Sequence, residues 1–245
     1  MPNLNSLTTQ DLQWGTANWS GQGYIDGLKM QWVSATAVTV TSGAAFVPSL
    51  NKCLPVPNAI PVTGLVLAAS TWYHVYLYSN AGVPAIEVVT TAPAAPYNGT
   101  ARTKTSDTSR RYIGSVLTDS TGNLQQFKVD SAGQFRYLVV PANSGLRFLS
   151  NGKATVRTAV SLSGGMPITA TNAILQLSNT DSSFYVNFGN PSAATAGPLG
   201  VSPGGAGAGA IVTVPTDTNQ SVDYYYTTAP TNGFFIDVYG FSVER

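Results

Sequence analysis

The stretch TWYHVYLYS, from Thr71 to Ser79, is the strongest strand signal in the chain and indicates the fold class. Aromatic and β-branched side chains dominate it, and neither glycine nor proline interrupts it. Such side chains fit the pleated, half-buried surface of a β-sheet. We therefore expect these residues to form a central strand.

Strand patterns continue on the N-terminal side of this segment. Leu28, Met30 and Trp32 are separated by single polar residues, and this period of two places the three apolar side chains on one face of a strand. Two further short strands are expected at 38–40 and 44–47. The region preceding the central segment is therefore predicted to be β structure.

Turn signals organise the C-terminal side. The connections DSTGN (119–123) and DSAGQ (130–134) combine Asp and Gly as short hairpin loops do. The three strands that they join are therefore expected to form an antiparallel meander. The strands predicted here lie at 85–90, 112–118, 124–129 and 135–140.

A change in composition marks a domain boundary near Pro141. The stretch PANSGLRFLSNG (141–152) is rich in Pro, Asn, Ser and Gly, as linkers are. About six strands follow it, a number and spacing that suit a sandwich or a jelly roll without deciding between them. Their predicted ranges are 155–162, 173–178, 183–188, 210–214, 221–228 and 234–243.

The fold class predicted from these patterns is all-β. We expect two antiparallel β-sandwich or jelly-roll-like domains, at 28–141 and 142–245, preceded by an extended N-terminal arm at 1–27. Each domain is long enough to bury a core of its own.

Composition narrows the choice of partners. Charged residues make up 9% of the chain and the net charge is +1, against roughly 25% charged residues in an average soluble protein. This balance supplies no general attraction to nucleic acid or to acidic membranes. Partners are expected to be recognised by shape and hydrogen bonding.

The start of the sequence resembles no targeting segment. It has neither the basic region nor the apolar region of a signal peptide, and no apolar run reaches the roughly 18 residues that a membrane span needs. We expect the protein to be made and folded in the cytoplasm, without membrane insertion. Cys53 is the only cysteine, so an intrachain disulfide is impossible and stability must come from core packing or oligomerisation.

Few residues are suited to catalysis or to binding a cofactor. His74 is the only histidine, and its place within the central strand favours a packed or hydrogen-bonded side chain over a catalytic base. One His and one Cys cannot supply the three or four nitrogen and sulfur ligands of a zinc site. No catalytic, metal or cofactor residue is therefore assigned, and no cofactor is expected.

Three other features receive structural interpretations. Glu87 is expected to be a partly buried acid paired with an arginine, rather than one of two glycosidase carboxylates. The glycine-rich stretch GGAGAGA (204–210) is not flanked by the strand and helix of a dinucleotide site. The basic cluster of Arg102, Lys104, Arg110 and Arg111 is interleaved with Ser and Thr, which favours a structural or intersubunit role over phosphate binding.

Two groups of aromatic residues favour contact with partners. Trp14, Trp19 and Tyr24 lie among polar residues of the arm, where they could anchor the chain in a groove of a partner or cover the end of the first domain. The consecutive Tyr224, Tyr225 and Tyr226 are candidates for contact with an external surface, where a tyrosine can stack on a sugar ring, or with another subunit, and packing of all three within the protein or between subunits is the favoured interpretation. Because neighbouring strand residues face opposite sides, Tyr225 must point away from the other two.

The first domain carries a resemblance to a known class of protein. The stretches GLKMQW (27–32), STWYHVYLYSNAGVPAIEVVTTAPA (70–94) and ARTKTSDTSRRYIGSVLTDSTGNLQQF (101–127) resemble a module of virion structural proteins in tailed bacteriophages. Tail-fibre, tailspike and head-fibre chains carry such modules. The resemblance covers about a hundred residues and is most specific at WYHVYLY and ARTKTSDTSRRYIGS.

The resemblance implies a virion-bound homo-oligomer, commonly a homotrimer, that contacts other virion proteins and has no catalysis of its own. The leading hypothesis is thus a structural protein of a tail fibre or head fibre that takes part in host attachment. A lectin-like module that recognises a host surface glycan is the alternative. A hydrolase acting on capsular polysaccharide is the third hypothesis.

Overall fold

The chain is described by a computed structural model over residues 20–190, 199–201 and 209–245. The described residues form strands joined by turns, with 3-10 turns at Ser20–Gly23, Pro48–Leu50 and Pro141–Asn143 and no α-helix among them. All strand pairings are antiparallel, and the predicted all-β fold is confirmed. The strands are β1 Ile25–Gly27, β2 Met30–Ser34, β3 Ala37–Val40, β4 Gly43–Val47, β5 Lys52–Val56, β6 Ile60–Val62, β7 Trp72–Asn80, β8 Val83–Val89, β9 Thr103–Lys104, β10 Asp107–Leu117, β11 Phe127–Val129, β12 Gln134–Tyr137, β13 Arg147–Gly152, β14 Thr158–Ser161, β15 Asn172–Asn179, β16 Val186–Gly189, β17 Leu199–Val201, β18 Gly209–Pro215, β19 Ser221–Tyr226 and β20 Phe234–Ser242.

The central strand predicted from TWYHVYLYS is β7. It lies between β8 and β10 in a four-stranded sheet of order β8-β7-β10-β9. Val75 and Leu77 of β7 are buried in the apolar core, and His74 and Tyr76 are buried on the opposite face. Burial on both faces explains why this segment reads as continuous aromatic and apolar residues rather than as an alternation.

The strands that precede β7 form two three-stranded sheets, of orders β1-β4-β5 and β2-β3-β6. Leu28 and Met30 are buried, Trp32 packs against the core, and Gln31 between them is exposed, so the predicted alternation is confirmed. Residues 52–56 and 60–62, which carry prolines and were not predicted as strands, also pair here.

The second half of the chain contributes most of two larger sheets. One is six-stranded, of order β11-β12-β20-β15-β18 with β13 also paired to β20, and the other has the order β14-β19-β16-β17. Strand β13 falls within the PANSGLRFLSNG stretch, which composition indicated as a linker. Its pairing with β20 shows that side chains such as Leu149, packed against the core, outweigh the loop-like composition.

The predicted meander is wrong beyond its hairpin. Strands β11 and β12 pair across the DSAGQ turn as expected. Strand β10, however, pairs with β7 and β9 and meets the next segment only through an isolated bridge between Thr118 and Leu124. Strand β12 then pairs with β20 at the other end of the chain.

This crossing of the chain also places the two halves around one core. Phe135 of β12 stacks between Phe127 and Phe241, with ring centroids 4.5 Å apart on both sides. Trp72 of β7 packs edge-to-face with Phe241, with ring centroids 6.0 Å apart. The domain boundary expected at Pro141 would assign β11 and β12 to the first domain. In the structure they belong to the sheet of the C-terminal strand β20, with which β12 pairs and on whose Phe241 ring Phe135 stacks.

The expected arm at 1–27 is shorter than predicted. Strand β1 pairs with β4, and the Tyr24 carbonyl accepts a hydrogen bond from the Phe46 N–H at 3.0 Å. Residues 20–27 thus belong to the folded part. The remainder of the arm lies outside the described residues.

Candidate functional site

The only histidine of the sequence is buried within the sheet of order β8-β7-β10-β9, as predicted. His74 is 5% exposed, and its Nδ1 lies 2.7 Å from the Ser115 hydroxyl on β10. Ser115 also hydrogen-bonds the Tyr112 hydroxyl at 2.8 Å, which in turn bonds the Thr169 hydroxyl. Burial lowers the pKa of His74 to about 4. The imidazole is therefore neutral at pH 7 and is held within a chain of buried hydroxyl groups.

The lowered pKa predicts a pH-dependent loss of stability. The unfolded chain, with an imidazole pKa of 6.5, binds more protons than the folded chain from pH 6.5 down to about 4. We expect His74 to contribute a loss of about 2 kcal/mol between pH 7 and pH 5. In His74→Gln this loss should disappear, whereas stability at pH 7 changes modestly. Urea unfolding at both pH values tests this, and equal pH slopes in the two proteins would refute it.

Cys53 is also buried in the interior of the protein. It is 8% exposed, and burial raises the pKa of its thiol to about 11, so the thiol is protonated at neutral pH. A protonated thiol is a poor nucleophile and a poor metal ligand. Across the described ranges, no group of three or more His, Cys, Asp or Glu side chains is placed to hold a metal ion.

Glu87 is an ion-paired structural acid, as predicted. Its carboxylate lies 3.0 Å from Lys104 Nζ and 3.3 Å from Arg110 Nε. The Arg110 guanidinium also stacks over the Tyr78 ring at 3.9 Å. These contacts tie β8, β7, β9 and β10 together, and they leave the carboxylate between two cations.

Arg111 of the same basic cluster is fully buried. Its guanidinium donates hydrogen bonds to the carbonyls of Tyr112 at 3.0 Å and of Arg102 and Gly23 at 3.3 Å. Burial lowers the pKa of Arg111. The side chain thus joins β10 to the 3-10 turn at Ser20–Gly23, in agreement with the structural role expected for the cluster.

The three consecutive tyrosines do not form an exposed patch. Tyr224 and Tyr226 are buried, and the Tyr226 hydroxyl donates to Asn179 Oδ1 at 2.7 Å. Strand β19 lies between β14 and β16, with this face against Phe234 and the core, so contact of these two residues with a host surface is excluded. Tyr225 points to the other face and is half-buried.

Of the three residues expected to be virion anchors, Tyr24 alone lies within the described part of the chain. Trp14 and Trp19 lie outside the described residues. Tyr24 is 40% exposed and follows the 3-10 turn directly. An aromatic side chain at this point could contact a partner from the folded part of the protein.

A cleft that the sequence did not predict opens between the two halves of the chain. Its volume is about 500 Å³, which lies within the usual range of small-molecule sites. One wall is the turn after β10, and the other is the segment from Val139 to Phe148. The lining consists of Ser70, Leu117, Thr118, Asp119, Ser120, Leu124, Gln125, Gln126, Val139, Asn143, Ser144, Gly145, Phe148 and Gly164.

Asp119 is the charged group of this cleft. Its Oδ1 accepts hydrogen bonds from the backbone N–H groups of Thr121 and Asn123 and from the Thr121 hydroxyl. Desolvation opposes ionisation, but these bonds together outweigh it and hold the pKa of Asp119 below its ordinary value. The carboxylate is therefore ionised at neutral pH, with Oδ1 fixed by the turn.

The two walls are joined independently of Asp119. Gln125 Nε2 donates to the Ser144 carbonyl at 2.8 Å across the cleft. Gln126 and Asn143 line opposite walls of the cleft, and both residues are exposed. Phe148 forms an apolar part of the lining and packs against the backbone at Gly164 and Gly165. Sequence patterns missed this site because both walls read as ordinary loops.

No protein-family model, curated protein or solved structure matches the chain significantly. In the described part of the chain, no helix is long and apolar enough to span a membrane.

Proposed function

We propose that the chain is a non-enzymatic structural protein of a bacteriophage virion, part of a tail fibre or head fibre that contacts the host surface. The main support for this proposal is the location of the resembling stretches in the fold. The stretches WYHVYLY and ARTKTSDTSRRYIGS form β7, β9 and β10, which pair in one sheet. The resemblance thus corresponds to a contiguous structural unit rather than to scattered matches.

The use of reactive side chains supports a structural role. His74 is neutral and bonded to Ser115, the Cys53 thiol is protonated, and Glu87 is neutralised by two cations. Each of these groups stabilises the sheets around it. This use of the side chains fits a protein whose function is binding and assembly rather than catalysis.

Self-association as a homotrimer is part of the proposal. Leu138 and Val140 lie on one side of the segment after β12, and both are more than half exposed, as is Val33. Exposed apolar residues on a chain with little charge favour burial between subunits. The resemblance to fibre proteins is what selects three subunits.

A second candidate function is recognition of a host surface glycan. The cleft at Asp119 and Phe148 favours it, since concave sites with a few placed polar groups are typical of small-ligand binding. The tyrosines of β19 do not contribute to this argument, because two of the three are buried.

Deletion of residues 1–19 tests the attachment part of the proposal. We expect the truncated chain to keep its β-rich circular dichroism spectrum, because β1 and the 3-10 turn that precedes it remain. If Trp14 and Trp19 anchor the chain, the truncated protein should no longer join the particle. Incorporation is measured by mass spectrometry of particles that carry the altered gene.

A matched pair of variants separates anchoring from folding. Trp14→Ala with Trp19→Ala should reproduce the loss of incorporation, whereas Tyr225→Ala should not, because Tyr225 lies on the sheet at the other end of the sequence. Normal copy number in the truncated particles would contradict the anchoring role.

A further inference from the structure

We propose that the cleft lined by Asp119, Gln126, Asn143 and Phe148 binds an uncharged, hydroxyl-rich saccharide. This inference rests on the host-contact part of the proposed function. It adds the location of the site, the chemical class of the ligand and the residues that hold it.

The charge of the cleft selects against anionic ligands. Among the described residues that line it, Asp119 alone carries a charge, and its carboxylate is ionised. A negative group in a partly enclosed site repels phosphate, sulfate and carboxylate groups. Nucleic acids, teichoic acids and acidic sugars are therefore disfavoured, and neutral sugars are not.

The polar groups of the cleft match the hydrogen-bonding needs of hydroxyl groups. The three hydrogen bonds from Thr121 and Asn123 go to Asp119 Oδ1, and we assign Oδ2 to the ligand. The amides of Gln126 and Asn143 each offer a donor and an acceptor from opposite walls. Sugar hydroxyls both donate and accept, and a carboxylate accepts the strongest bonds of this kind.

Phe148 supplies the apolar surface that a pyranose ring needs. Its ring is half-buried, so part of it faces the cleft, and the backbone at Gly164 and Gly165 holds it in place. The C–H face of a sugar packs favourably on an aromatic ring. A site that combines one aromatic ring with several polar side chains favours binding of a saccharide over binding of an apolar ligand.

The groups assigned to the ligand are not those that hold the cleft open. The walls are joined by the hydrogen bond from Gln125 to Ser144, and the turn is held by Asp119 Oδ1. Gln126 and Asn143 are exposed, so replacing them leaves both structural contacts intact. This separation allows the binding residues to be removed without unfolding the site.

The test uses the full chain and a panel of uncharged oligosaccharides built from hexoses, deoxyhexoses and N-acetylhexosamines. Saturable binding to at least one of them is expected. Asn143→Ala and Gln126→Ala should each weaken that binding by about tenfold, as the loss of a hydrogen bond does. Asp119→Asn, which keeps Oδ1 and removes the charge, should weaken it at least as much. The control is Asn219→Ala, an exposed amide outside the cleft, with unchanged affinity.

The outcomes separate the cleft from the host-contact role. Binding that survives all three cleft variants would place the saccharide elsewhere, which overturns this inference and retains glycan recognition. Folded protein that binds no member of the panel also overturns it. Neither result alters the particle-incorporation experiment, which tests virion attachment without reference to a ligand.

Discussion

Replacing Phe241 by alanine is expected to lower the free energy of unfolding by about 3–5 kcal/mol, the range found for buried phenylalanines. Phe241 is 1% exposed and stacks on Phe135 at 4.5 Å. It also packs against Trp72 of strand β7. The truncation would leave a cavity where the central strand, the β11–β12 hairpin and the C-terminal strand meet.

This substitution also tests whether the halves unfold together. Because one aromatic cluster joins them, we expect a single transition in both proteins, shifted to lower denaturant in Phe241→Ala. Phe235→Ala is the matched control, since Phe235 lies on the same strand but is only half-buried and should cost less. Two separate transitions, with only the later part of the chain affected, would support independent domains divided near Pro141.

Replacing Gly240 by alanine is expected to have a larger effect, a loss of more than about 4 kcal/mol or failure to accumulate folded protein. A Cβ at this position would lie 2.0 Å from the Phe135 carbonyl oxygen. That oxygen belongs to the backbone of β12, so it cannot move without breaking the pairing of β12 with β20.

Hydrogen exchange measures the consequence locally. In Gly240→Ala the amides of β12 should exchange much faster, provided that enough folded protein is obtained. Gly200→Ala is the control, because a Cβ there would meet its nearest atom, Tyr185 Cδ1, at 4.0 Å. Equal stability of the two variants would show that β12 is not held against β20 in the way described.

Sequence patterns predicted the parts of the fold that local chemistry determines. The β7 strand and the Leu28–Met30 alternation were predicted because the type of side chain at each position indicates whether that position is buried. The pairing of β12 with β20 was not predicted, because about a hundred residues separate Phe135 from Phe241 along the sequence and no local pattern specifies such a contact. The composition of PANSGLRFLSNG was misleading for the same reason, since the partner of β13 is the distant β20.

The candidate site shows the same limit more strongly. The structural roles of His74 and Glu87 followed from their positions in predicted strands. Tyr224 and Tyr226 were candidates for surface contact because the sequence does not show that β19 is an interior strand. The cleft joins Asp119 to Asn143 and Phe148 across two loops, and only their arrangement in three dimensions brings them together.

A quantitative analysis of purified particles tests most directly the proposal that this chain is a structural part of a virion. Particles of the phage proposed to carry this gene would be isolated on a density gradient, and the chain would be quantified by mass spectrometry against the major capsid protein. The account predicts that the chain co-purifies with the particles at a fixed copy number divisible by three. Its presence in the lysate of infected cells together with its absence from the particles would contradict the claim.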